Sequence, residues 1–187
     1  MKILNVLAQL PMKTGSGVYF SNLVEELNDQ GHENILLYGV QAPYSVDVEG
    51  KHYPVEFKSE RIPFPIAGMS DVMPYKNTVY SEMTEDMIDL ELSVFREVLE
   101  KIRDTEGVDL VITHHLFFLS SLVREVFKDT PVVAFCHGTD LRQLERFPKF
   151  LERCGSIKDL DIIFTVSPNE SEKIHEIFSY DRDKIKL

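Results

Sequence analysis

The 187-residue chain has no tryptophan, only two cysteines (Cys136 and Cys154), and no apolar run longer than five residues, Val132–Cys136. Each scarcity excludes something. Two cysteines cannot build a disulfide scaffold and fit a reducing cytoplasm. Five apolar residues fall far short of the roughly 20 that a membrane helix needs. No basic stretch leads into an apolar segment with a small-residue cleavage site, so no signal peptide is expected. Positive charge is short as well: 20 Lys+Arg against 31 Asp+Glu leave a net charge of −11. So acidic a surface repels phosphate backbones and anionic lipid, and nucleic acid is not expected as a partner. What the chain does have is 43% apolar residues, enough to exclude disorder. A domain of this size buries roughly 70% of its unfolded surface, which makes a full core.

The apolar residues alternate between two periodicities. Lys2–Ala8 is an almost continuous apolar run, the pattern of a strand covered on both faces. A polar loop, Gln9–Gly17, follows. Phe20, Leu23, Val24 and Leu27 then mark one face of a helix that Gly31 stops. Glu33–Tyr38 reads as a second strand, completing a βαβ unit. The alternation returns at Thr84, which can cap a helix with Ile88, Leu92, Phe95, Leu99 and Ile102 as its stripe and Gly107 at its end. Leu110–Thr113, Val132–Phe135 and Ile162–Val166 read as strands. Leu119, Leu122, Val123 and Val126 mark a helix between the first two, and Ser167-Pro168-Asn169-Glu170 is a capping box that opens the last helix. The expected fold is therefore α/β: a Rossmann-like, doubly wound, mostly parallel sheet with helices on both faces, one domain over residues 1–187. Residues 41–83 interrupt the pattern. They hold five of the nine prolines and four of the seven tyrosines, and read as an irregular insertion with one strand near His52–Phe57. Asp183–Leu187 reads as the start of a further strand, so the chain is expected to be part of a longer protein.

In such a sheet, ligands sit beyond the carboxyl ends of the strands, where strand order reverses. Four strand-to-helix loops should share that rim, bringing Ser16, His115, His137 and Ser167 onto one ledge. Gly15-Ser16-Gly17 precedes a helix, so its N–H groups can hold a phosphate, or can simply make a tight turn. A dinucleotide fingerprint is not met, because Phe20 stands where the third glycine belongs and no acidic residue ends the second strand. His114 and His115 should point to opposite sides of a continuing strand, so at most one faces the crevice. In His137-Gly138-Thr139-Asp140, Gly138 permits close approach of a ligand and His137 offers a donor or acceptor, while Asp140 is alternatively only a helix cap. A zinc site from His115, Cys136 and His137 is a further alternative, though no C-x-x-C accompanies it.

Taken together, Gly15 in a Pro-bearing first loop, Leu27-x-x-x-Gly31-His32-Glu33, His137-Gly138-Thr139-Asp140 after an apolar strand, and Asp161–Ser167 resemble the family-four glycosyltransferases of the GT-B type. The resemblance implies a two-domain enzyme that moves a sugar from a nucleotide-sugar to a sugar, lipid or small-molecule acceptor, usually with retention, with no cofactor beyond that substrate. This chain would be its N-terminal, acceptor-side domain, cytoplasmic or peripheral to the inner face of the membrane. His137 would be the catalytic contact at the reacting centre. Gly15, Ser16, Gly17 and Gly138 would lie near the donor phosphates and sugar, and His114, His115, Thr139 and Asp140 near the acceptor, with no metal. The 41–83 insertion would help shape the acceptor pocket. Thr14 departs from the family by standing where a paired glycine is common. The C-terminal domain with its nucleotide pocket is not in this sequence, so the chain alone is expected to be inactive and to expose an apolar patch through which it self-associates. The other readings are a stand-alone carbohydrate- or anion-binding module and a zinc hydrolase.

Overall fold

The computed structural model describes residues Met1–Leu187. Strand β1 (Lys2–Leu7) leads into α1 (Gly15–Asp29), capped by Thr14, whose Oγ1 accepts from the Gly17 N–H at 3.0 Å. Next come β2 (Glu33–Val40), β3 (Lys51–Glu56) and the short strands β4 (Ala67–Gly68) and β5 (Thr78–Val79). Helix α2 (Glu85–Glu106) starts on the Thr84 hydroxyl and ends at Gly107, whose φ of 64° is the left-handed stop the sequence implied. The chain continues through β6 (Leu110–His114), α3 (Phe118–Val126), β7 (Val132–Phe135) and α4 (Thr139–Arg146). A kinked 3-10 stretch, Pro148–Asp159, leads to β8 (Ile162–Phe164), α5 (Pro168–Phe178) and β9 (Ile185–Lys186).

Seven of these strands form one parallel sheet in the order β3-β2-β1-β6-β7-β8-β9. Side chains alternate across it as the pleat requires. Leu4, Val6, Ile35 and Leu37 enter the larger core with Phe95 and Leu99 of α2 and Leu122 and Val123 of α3, whereas Leu7, Leu36 and Tyr38 meet Phe20 and Val24 of α1. Helices therefore cover both faces, and the fold is the Rossmann-like one expected. Strand order reverses between β1 and β6, so the loops that leave those two strands flank an open crevice at their carboxyl ends.

In the 41–83 segment the strand expected near His52–Phe57 is β3, at the sheet edge, but the rest is less irregular than expected: it makes the separate β4–β5 pair and buries Ile62, Ile66, Tyr75 and Tyr80 in the main core beside Val55 and Phe57. Gln41 ties it together, accepting from the Ile66 N–H and donating to the Lys76 carbonyl. Ile62, Ile66, Tyr75 and Tyr80 are isolated apolar residues among prolines, so neither periodicity could register them. Asp183–Leu187 does supply a short strand, β9, paired with β8.

Candidate functional site

The crevice holds a cavity of about 420 Å³. One wall comes from the β1–α1 loop and the start of α1 with Gln9, Thr14, Gly15 and Ser16. His115 enters after β6, and His137 and Thr139 after β7. The opposite wall is Met69, Ser70, Val72, Met73 and Pro74 from the segment between β4 and β5. Ser16, His115 and His137 thus share a ledge. Ser167 does not join them: its hydroxyl accepts from the Glu170 N–H and caps α5. No charged side chain lines the cavity.

Local geometry explains each placement. Gly15 begins α1 with open space where a side chain would be, which leaves the first helical N–H groups accessible. Gly17 is different. A Cβ there would lie 2.7 Å from the Leu10 carbonyl, so its smallness serves packing and it does not reach the cavity. Ser16 Oγ donates to Gln9 Oε1 at 3.3 Å and lies 3.1 Å from Thr14 Oγ1. That leaves Gln9 Nε2 buried without a partner at the cavity wall. A buried donor left free beside a cavity is what a ligand oxygen would satisfy.

The three histidines converge. β6 ends at His114, and His115 takes a φ of 68°, so the strand alternation expected through both does not continue. His114 turns inward against Phe20 and Phe135, and only His115 lines the cavity. Both nonetheless contact His137: His114 Nδ1 lies 3.0 Å from His137 Nε2, and the His115 and His137 ring centroids are 4.7 Å apart. Burial is the main force on all three, with repulsion from the neighbouring histidines added at His114 and His137. It holds His114 well below the ordinary imidazole range, His115 near about 3 and His137 near about 4, the last despite the Asp140 and Glu170 carboxylates that favour its protonated form. At pH 7 they are neutral donors and acceptors. Both ring nitrogens of His115 lack partners.

Two expectations in the His137–Asp140 turn need correction. Gly138, at φ 73°, is the residue that caps α4, and a Cβ there would collide with Glu170 Oε1. It shapes the turn and does not line the cavity. Asp140 lies inside the first turn of α4, is fully buried, and accepts from the Leu116 N–H at 2.6 Å and from the Cys136 thiol at 3.6 Å. It is neither the cap nor an acceptor contact; it fastens the β6–α3 loop to α4. Burial and the nearby Asp140 also push the Cys136 thiol far up, away from the thiolate that a metal would need. No group of three or more His, Cys, Asp or Glu side chains is placed to hold a metal ion.

Gln9 and Thr14 lie in the loop expected at the rim and residues 69–74 in the insertion expected to shape the pocket, but nothing in the sequence marked these particular residues as cavity lining. Gln143 Nε2 donates to the Met69 carbonyl at 3.0 Å and Arg146 pairs with Asp71 at 2.7 Å, so α4 pins that wall. The i, i+3 spacing of Gln143 and Arg146 was the available signal, and it is a weak one. No helix is long and apolar enough to cross a membrane.

This chain matches solved structures of the same fold and spans about half the length of three of them. Sucrose-phosphate synthase from Thermosynechococcus elongatus matches at a TM-score of 0.68 and 13% identity, over 100% of this chain and 47% of that one. UDP-GlcNAc 2-epimerase from Neisseria meningitidis bound to UDP-GlcNAc matches at 0.61 and 10%, over 100% and 46%. The lipopolysaccharide outer core galactosyltransferase WaaB in its apo form matches at 0.58 and 12%, over 100% and 45%. At these identities the likeness is one of fold. Comparison with curated proteins gives no match. The family model for Glycosyltransferase Family 4 matches residues 13–187, and the chain belongs to that family.

Proposed function

We propose that this chain is the acceptor-side half of a glycosyltransferase that moves a sugar from a nucleotide-sugar to an acceptor hydroxyl with retention. The observation that supports it most is the cavity at the strand reversal, where the start of α1, His115, His137 and Thr139 converge within a Family 4 chain. Gly15 and Ser16, with free N–H groups at the positive end of α1, lie toward the donor phosphates. His137 is the catalytic contact, hydrogen-bonded to the transferred sugar or to the oxygens exchanging it. His115 and Thr139, with the 69–74 wall, form the acceptor side. That wall offers methionine, valine and proline surface to a sugar ring face and Ser70 to its hydroxyls.

Charge developing on the departing diphosphate needs cations or N–H groups. The cavity has no charged side chain, so the basic partners must come from a second α/β half. The enzyme works in the cytoplasm, free or at the inner face of the membrane, and needs no cofactor beyond the nucleotide-sugar. A coupled nucleotide-release assay tests this. The 187-residue chain alone is expected to show no turnover, and the chain joined to the second half to show it. In the joined enzyme, His137→Ala should lower kcat by about 10²–10³, as loss of one donor at developing charge does elsewhere. Its unfolding midpoint should change little. Unchanged kcat would remove His137 from the reaction, and turnover by the chain alone would remove the need for a partner half.

The epimerases among the matching folds favour a second reading, a half-site that binds a nucleotide-sugar and inverts it in place. Incubation with a nucleotide-sugar and no acceptor separates the two: an epimerised sugar supports that reading, and an unchanged one supports transfer.

A further inference from the structure

His114 lines no cavity, yet it is the histidine bonded to His137. Its Nδ1 lies 3.0 Å from His137 Nε2, with the rings within 18° of parallel and their centroids 5.3 Å apart. At that separation the rings do not meet face to face, so the bond runs edge to edge, close to both ring planes. His114 is 2% exposed, walled by Phe20, Phe135 and Tyr19, and its Nε2 has no partner. Desolvation keeps both rings neutral. A neutral imidazole carries one N–H and one bare lone pair, and an N–H···N bond uses one of each.

Two proton arrangements satisfy that bond. In the first, His114 Nδ1–H donates to His137 Nε2; the bare nitrogen of His114 faces the aromatic wall, and the proton of His137 sits on Nδ1. In the second, His137 Nε2–H donates, which strands an N–H of His114 in the apolar pocket and leaves His137 Nδ1 bare. Buried donors without a partner are the rarer defect in native proteins. The first arrangement avoids that defect.

We propose that His114 is a positioning residue that fixes His137 as its Nδ1–H tautomer, so that His137 meets a ligand oxygen as a hydrogen-bond donor and not as a base. The tautomer follows from the geometry of the pair; the donor role at the sugar rests on the placement of His137 under the proposed function. An N–H directed at a sugar hydroxyl or a departing phosphate oxygen stabilises charge building there, whereas a bare nitrogen would repel it.

Nitrogen-15 NMR of the histidine-labelled 187-residue chain at pH 7 tests the assignment. His137 Nδ1 is expected at the shift of a protonated nitrogen and Nε2 at that of a bare one, with a scalar coupling across the N–H···N bond to His114. His114→Phe keeps a ring and removes the donor; His137 should then move to a form dominated by Nε2–H. His114→Asn, whose amide N–H reaches the same position, should restore Nδ1–H, which a purely space-filling role for His114 would not produce. Protonation of Nε2 in the unaltered chain overturns the proposal, and this reading needs no variant to fold. An Nδ1–H that persists in His114→Phe overturns it as well. Transfer activity that survives His137→Ala would overturn the donor role at the sugar while the spectrum still reports the tautomer, so the two failures are told apart.

Discussion

Asp140 sits in the most suggestive motif of the chain, and its carboxylate never reaches the cavity. Asp140→Ala would leave the buried Leu116 N–H unpaired and free the β6–α3 loop. A loss of about 1–3 kcal/mol is expected, measured by urea unfolding. Glu91 is another buried carboxylate whose position the sequence concealed. It falls within the charged stretch of α2, but Oε2 is buried without a partner, and burial pushes its carboxyl up from 4.5 to about 8. Between those values the folded chain holds a proton that the unfolded chain has released, so its contribution is full below about pH 4.5 and is lost as pH rises to about 8. The histidine trio acts with the opposite sign. Lowered from 6.5, these groups bind protons on unfolding, so stability falls as pH drops from 6.5 toward about 4 and below. Together they place the stability maximum at about pH 7. Comparing the parent with Glu91→Gln isolates the carboxylate. The variant's relative stability should rise by on the order of 3 kcal/mol from pH 5 to pH 8. A difference that stays constant with pH would show that Glu91 is ionised in the folded chain.

At the scale of elements, the helix ends were legible because caps are local. Thr84 and Ser167 each accept from a backbone N–H three residues on, as their sequence contexts imply; Thr14 does the same for α1, which starts at Gly15 inside the stretch expected to be loop. Strand alternation was equally legible, but its end was not: the left-handed turn at His115 broke the period and brought two consecutive histidines around one ring. The cavity wall between β4 and β5 depends on α4 more than on its own secondary structure. Gln143→Ala would release the Met69 carbonyl. Amide exchange over residues 69–75 should then rise about tenfold, the cost of one buried hydrogen bond at about 1.4 kcal/mol, with exchange in β1 and β6 unchanged. Uniform acceleration across the sheet would mean that Gln143 supports the whole fold and not this wall.

For the molecule as a whole, the reversal of strand order between β1 and β6 is the organising fact. It sets the β1–α1 and β6–α3 loops apart as flanks of a crevice and brings the β7–α4 loop alongside. Beside the polar cavity, sharing His137 with it, lies an apolar slot formed by Tyr19, Phe135, Phe164 and Val166. Val166 is 83% exposed and Tyr19 44%. Without a partner half over this end of the sheet, the chain is expected to self-associate through the slot. Light scattering should show mass rising with concentration, and Val166→Asp should abolish the rise. A constant monomer mass at all concentrations would refute the expectation.

The sequence by itself determined the α/β class, the parallel sheet, the limits of α2, the end of α1, the start of α5 and the motifs of Family 4, because periodicity, capping and glycine stops act over a few neighbouring residues. Only the tertiary structure decided which motif residues face a ligand. Gly17, Gly138 and Asp140 proved to be packing and fastening elements, and Gln9 with the 69–74 wall parts of the cavity. Those roles depend on contacts between segments tens of residues apart, such as Asp140 with Leu116 and Gln143 with Met69, and no local pattern encodes them.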